Sequence, residues 1–206
     1  MPDIKQWLAT WAQLSVQESE SLADLYRELL ARYREPQRSY HNEQHLDECF
    51  ACFRDVRAEA EHPAEIELAI WFHDAIYDSK RKDNEERSAD WARREAIRFG
   101  VPRESAERIH SLILATEHQE APVTQDAKIL LDADLAILGA APARFDQYEQ
   151  QVREEYSWVP GFVFRRKRRE LLSRLLGRKA IYATELLRAR YEQLARDNLK
   201  RSLGRL

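Results

Sequence analysis

The residues best placed for chemistry in this chain are a histidine and an aspartate side by side in an apolar stretch, Glu67-Leu68-Ala69-Ile70-Trp71-Phe72-His73-Asp74-Ala75-Ile76-Tyr77. A carboxylate in such a setting either neutralises or finds a counter-charge, and a metal cation held by both side chains is one solution. Upstream, Tyr40-His41-Asn42-Glu43-Gln44-His45 puts two histidines four apart, one turn along the same helix face. Downstream, Ile129-Leu130-Leu131-Asp132-Ala133-Asp134-Leu135 again sets carboxylates in an apolar run. His45, His73, Asp74 and one of the two later aspartates therefore form a candidate metal cage. Imidazole and carboxylate together suit Zn, Mn, Fe, Co or Mg. Residues two apart on a helix face different ways, so Asp132 and Asp134 compete for the last position.

Taken in order, His, then His-Asp, then Asp resembles the signature of the HD superfamily of metal-dependent phosphohydrolases. The segment Tyr40-His41-Asn42 followed by His45 is similar to the active-site helix of cyclic-nucleotide phosphodiesterases, and Ala133-Asp134-Leu135 to the stretch carrying their last ligand. Asn84-Glu85-Glu86-Arg87-Ser88-Ala89, Arg153-Glu154-Glu155-Tyr156 and Glu192-Gln193-Leu194-Ala195-Arg196-Asp197-Asn198-Leu199 resemble a bacterial branch of predicted HD phosphohydrolases with no assigned substrate. The resemblance implies that Asp134 is the last ligand. Asp132 is then left to cap a helix or to orient a ligand histidine. It further implies that His41 donates a proton to a leaving oxygen, work that suits a histidine.

Weaker candidates surround this set. Some HD proteins bind a second metal through extra histidines, for which His110 and His118 qualify; each could equally be a satisfied core or rim residue. Asp78 and Glu85 flank a charged loop after the His-Asp pair and could orient the attacking water. Arg165-Arg166-Lys167-Arg168-Arg169 is the densest positive run; it is either a solvated face or, if turned to the cleft, a phosphate-steering one. Cys49 and Cys52 have the spacing of a redox pair or half a zinc site, but no second ligand pair accompanies them. They read as small core residues.

The expected activity is hydrolysis of a phosphoester in a nucleotide or other small phosphorylated molecule, using a metal-bound hydroxide with one or two divalent ions. Two alternatives remain: an HD-type di-iron oxygenase, if enough extra histidines, such as His110 and His118, reach the metals, and a non-catalytic nucleotide-binding module.

The elements that must position these residues are helical. Five Gly and seven Pro in 206 residues, against abundant Ala, Leu, Glu and Arg, predict an all-α chain. That length reads as one domain over 1–206, with scaffold helices at about 1–35 and 161–206, burying roughly 70% of its unfolded surface. Helical periodicity and Pro and Gly punctuation predict a histidine helix over about 42–59 and a His-Asp helix over about 64–78. Further helices are expected over 84–99 (capped by Asn84), 103–118, 125–139, 161–176 and 178–203. A net charge of −3 gives no nucleic-acid signal. No apolar run reaches the ~18–20 residues a membrane span needs, and the start lacks a signal-peptide layout, so a cytoplasmic location is expected.

Overall fold

The computed structural model describes residues 3–118 and 122–206; the first two residues of the expected N-terminal scaffold lie outside that range. The chain is all-α. Among the described residues are ten helices: α1 (Ile4–Gln13), α2 (Glu20–Tyr33), α3 (Glu43–Val56), α4 (Pro63–Phe72), α5 (Asn84–Arg98), α6 (Arg103–Ala115), α7 (Gln125–Asp134), α8 (Pro142–Glu155), α9 (Gly161–Leu176) and α10 (Glu185–Leu203). None is long and apolar enough to cross a membrane.

Local chemistry sets the starts of these helices. The side chains of Asp3, Ser19, Asn42 and Thr124 each accept a backbone N–H from the first turn that follows, satisfying donors that a helix leaves without partners. Pro63 occupies the first position of α4, where its missing N–H costs nothing. Gly100 ends α5 with a left-handed φ of 88°.

The centre of the molecule is α4. Every residue from Ala64 to Phe72 is buried, and the helix packs against α1, α3, α5, α6 and α7. A helix apolar on all sides is stable only when surrounded, and each large side chain so buried contributes ~1.5–3 kcal/mol. Trp71 meets Trp7 of α1 edge-on at 5.4 Å. The two acids of α4 are matched: Glu65 takes a two-pronged ion pair from Arg108 at 2.6 and 2.8 Å, and Glu67 accepts from Arg57 at 2.9 Å and Thr10 at 3.0 Å.

Several boundaries differ from expectation, and each difference has a bonded cause. The His-Asp helix ends at Phe72, so His73 and Asp74 sit in the turn after it. His73 Nδ1 donates to Ile70 O at 2.9 Å, and the buried Arg38 guanidinium donates to Asp74 O at 2.6 Å and Ala75 O at 3.1 Å, capturing carbonyls that a continuing helix would have used. Asn84 is the first residue of α5 rather than its cap; its side chain ties both backbone groups of Asp78, closing the loop before it. The last helix begins at Glu185 instead of about 178, because Asp132, Glu192 and Arg196 bind the backbone of the preceding connection. Gly139 lets that helix pass: a Cβ there would stand 2.6 Å from Tyr191 Cβ.

Candidate metal centre

Three elements deliver the cluster. His45 comes from the first turn of α3, His73 and Asp74 from the turn after α4, and Asp134 from the last position of α7. Both imidazoles are 2% exposed, and the carboxylates are 13% and 17% exposed. His45 Nε2 lies 3.0 Å from His73 Nε2, 3.2 Å from Asp134 Oδ1 and 3.4 Å from Asp74 Oδ2. His73 Nε2 lies 3.1 Å from Asp74 Oδ2 and 3.7 Å from Asp134 Oδ1.

These spacings suit a shared cation. Donor atoms bonded at ~2.0–2.2 Å to one ion stand ~2.8–3.6 Å apart. The Nδ1–H of His73 is committed to a carbonyl, so its Nε2 presents a lone pair to the cluster. Without an ion, only protons can balance the two carboxylates. Burial disfavours charge on His73, yet Asp74 and Asp134 overcome it and raise its pKa. His45 is likewise raised well above the ordinary value despite burial, by Cys49, Tyr40, Asp134 and Asp74. Burial would raise Asp74 and Asp134, but the surrounding imidazoles hold both carboxyls far below their usual range. A divalent ion would replace those protons as the positive charge.

Cys49 adjoins the cluster. Its sulfur is 3.7 Å from both ring nitrogens of His45, and it belongs with His45, His73 and Asp134 to a group whose ligand atoms all lie within 4.8 Å of one another. Burial pushes its thiol up, which disfavours the thiolate a metal needs, and Asp74 lies closer to the imidazoles. Asp74 is therefore the better fourth donor. Cys52 is buried as expected, with its thiol pushed up to about 12.

Asp132 and Asp134 have different bonding partners. Asp132 accepts Ala183 N–H, Thr184 N–H and the Thr184 hydroxyl, each at 2.7 Å, and so pins the start of α10. His118 is brought in: it adopts a left-handed φ of 54° just beyond α6, and its Nε2 meets Asp134 Oδ2 at 2.8 Å. His110 is not. It faces Asp90 at 3.3 Å on the α5–α6 side and lines no part of the cavity beside the cluster.

That cavity, about 530 Å³, is walled by His73, Asp74 and Asp134 of the cluster, by His41, Tyr77 and Glu85, and by the inner face of α9. Asp78 does not reach it. Its Oδ1 accepts Lys80 N–H at 2.9 Å within the loop, so its role is to shape that loop. Glu85 does line the cavity, its carboxyl raised by burial and by the nearby Asp74, Glu117 and Asp134.

His41 precedes the Asn42 cap, outside the helix that carries His45. Its Nδ1–H donates at 2.7 Å to Glu155, a carboxylate that also accepts Tyr40 N–H at 2.8 Å, His41 N–H at 2.9 Å and the Tyr77 hydroxyl at 3.1 Å. Tyr77 stacks on the His41 ring at 4.0 Å. This leaves Nε2 as the nitrogen open to the cavity. Burial would raise Glu155, but His41 and these N–H groups keep its carboxyl below the usual value.

Glu155, Arg38 and Tyr77 were not singled out from the sequence. For Glu155 a signal existed: Phe145, Tyr148, Val152 and Glu155 continue one inward stripe of α8, so an acid falls on a core position. Arg38 lies in a loop, where no periodicity marks it. A second, larger cavity of about 910 Å³ lies near Glu61, Arg108 and Val123; of the acids there, Asp126 is consumed by the N–H groups of Glu61 and His62 and by the His62 ring, and Glu65 by Arg108. No protein-family model matches the chain, and neither a curated protein nor a solved structure matches it.

Proposed function

We propose that this protein is a metal-dependent phosphohydrolase acting on a small phosphorylated molecule, with nucleotides as the first class to test. The observation that carries this reading is the convergence of His45, His73, Asp74 and Asp134 at 3.0–3.7 Å, with His73, Asp74 and Asp134 on the wall of a cavity that also holds the Glu155-fixed His41.

A divalent cation bound by these residues would acidify a water and neutralise charge on phosphoryl oxygens. His45 and His73 offer neutral nitrogens, and Asp74 and Asp134 supply the opposing charge. Arg38, bonded to the Asp74 and Ala75 carbonyls, holds the His-Asp turn in place. Glu155 fixes the His41 ring with Nδ1 protonated, so that Nε2 can pass a proton to a leaving oxygen. Glu85, on the same wall, is the acid available to orient the incoming water.

His118 supports a second reading. Its contact with the other oxygen of Asp134 places one further imidazole beside the cluster, where it would be available to hold a second ion. The test is to reconstitute the protein separately with Mn, Zn, Fe, Co and Mg and assay nucleotides, cyclic nucleotides and aryl phosphates. Ion-dependent cleavage of a phosphoester bond in any of these substrates, abolished by chelation, supports the phosphohydrolase. Two bound irons with oxygen consumption and no phosphoester cleavage support the oxygenase. Tight nucleotide binding without turnover under any ion would make the chain a binding module.

A further inference from the structure

The positive run at 165–169 does not face the cavity as a block. Helical geometry turns Arg165, Arg166 and Arg169 to solvent, while Phe164, Lys167, Arg168, Leu171, Arg174 and Arg178 fall on the face that lines the cavity. Two of the cations on that face are already committed. Arg168 is buried against Glu149 at 2.5 Å and lies over the Tyr148 ring at 4.9 Å, and Lys167 reaches Glu170 at 2.9 Å.

Arg174 and Arg178 differ. Neither has an acidic partner among the described residues, although surface arginines elsewhere in the chain are mostly paired. Arg174 stands in the last turn of α9 and Arg178 in the bend just past the Gly177 cap, and both line the wall of the same cavity. Arg178 is half-buried, and burial together with the Arg174 charge lowers its pKa. Two like charges side by side, one partly desolvated, are unfavourable unless an anion completes the site. Phosphate and carboxylate groups match the planar guanidinium fork.

We propose that Arg174 and Arg178 form a second anion site on the wall of the metal cavity, selecting a ligand that carries at least two phosphoryl groups. One phosphoryl would lie at the histidine–aspartate cluster and another at the arginine pair, with Leu171 and Leu175 on the same cavity wall. The assignment of the first phosphoryl to hydrolysis rests on the phosphohydrolase reading; the arginine site does not, and its test needs no turnover.

Isothermal titration with orthophosphate, pyrophosphate and tripolyphosphate gives that test, run on chelator-treated protein and on metal-loaded protein freed of excess ion by dialysis. Wild-type protein should bind tripolyphosphate about 10- to 100-fold more tightly than orthophosphate, the scale of one or two charge-assisted contacts. R174A/R178A should collapse that ratio while changing orthophosphate affinity in metal-loaded protein little. R165A/R169A, which removes the same charge from the solvent face of α9, should leave the ratio intact. Equal affinities in the wild type, or an equal loss in both double variants, would overturn the proposal, the latter by reducing the effect to net charge. If the metal reading alone fails, chelator-treated and metal-loaded protein will behave alike, and the R174A/R178A effect will persist in both.

Discussion

Exchanging the carboxylates at 132 and 134 for amides should produce opposite phenotypes, although the two residues are separated by a single alanine. Asp132 takes three hydrogen bonds of 2.7 Å from Ala183 and Thr184, and its side chain meets neither imidazole of the cluster. In Asp132→Asn a single amide oxygen must serve donors that now meet two, so at least one donor is orphaned and all lose charge assistance. An orphaned donor costs ~1–3 kcal/mol and bonds to charged acceptors are worth ~1.5–3 kcal/mol. Burial already raises the Asp132 pKa against the pull of those N–H groups, so part of the gain is offset in the wild type. A net loss of ~2–4 kcal/mol follows. At ~2–4 °C per kcal/mol for a chain of this size, Tm should fall by about 4–16 °C. Metal affinity, measured where circular dichroism still reports native helix, should change by less than the ~10-fold that marks direct partners of metal ligands. Asp134→Asn should instead lower metal affinity by well over ~100-fold. Metal loss of the same size in folded Asp132→Asn would refute the separation of roles.

Replacing His41 with Asn should preserve metal content yet lower turnover by ~10²- to 10⁴-fold on substrates with poor leaving groups, and much less on nitrophenyl esters; an equal loss on both, read from initial rates, would remove its proton-donor role. Glu155→Gln confronts three N–H donors and the Tyr77 hydroxyl with one acceptor oxygen, so it should destabilise the fold by ~3–5 kcal/mol, measured by urea denaturation, and reproduce the leaving-group selectivity of the His41 variant. Stability should depend on pH in opposite senses with and without metal. Because the folded-state values of His45 and His73 are raised, their contribution to the metal-free protein is complete below the unfolded value of ~6.5 and is lost as pH rises through the folded value. A bound ion needs those rings deprotonated, so the metal-induced increase in Tm should grow as pH rises above neutrality, and a constant increment across that window would contradict proton displacement.

How much of this was legible in the sequence follows from where each residue sits. His73 and Asp74 announced themselves because a polar pair interrupts an apolar run, and the apolar surround of α4 is what makes that interruption costly. The all-α class followed from composition and periodicity. The end of α4 did not, since it is set by Arg38, a loop residue that reaches the carbonyls of Asp74 and Ala75 from far along the chain. Asp132 and Asp134 have the same local sequence context; only the path of the chain at Ala183 and Thr184, a long-range fact, shows which of them is already occupied. His110 and His118 looked alike on a helical face, but α6 ends at Ala115, and the left-handed turn at His118 swings that ring alone toward Asp134. The exposed and cavity-facing arginines of α9 belong to one periodic pattern whose phase relative to the cluster is a tertiary property.

The central claim is that one cation is shared by residues from α3, α7 and the turn after α4, and bound-metal content tests it most directly. Wild type, His73→Ala and Asp74→Ala should be loaded with each candidate ion, dialysed against metal-free buffer and measured by elemental analysis, with circular dichroism recorded on the same samples. The wild type should retain a divalent ion, and both variants should fall to background while keeping helical spectra. Either variant retaining wild-type metal content in a native fold would contradict the shared site and the reading built on it.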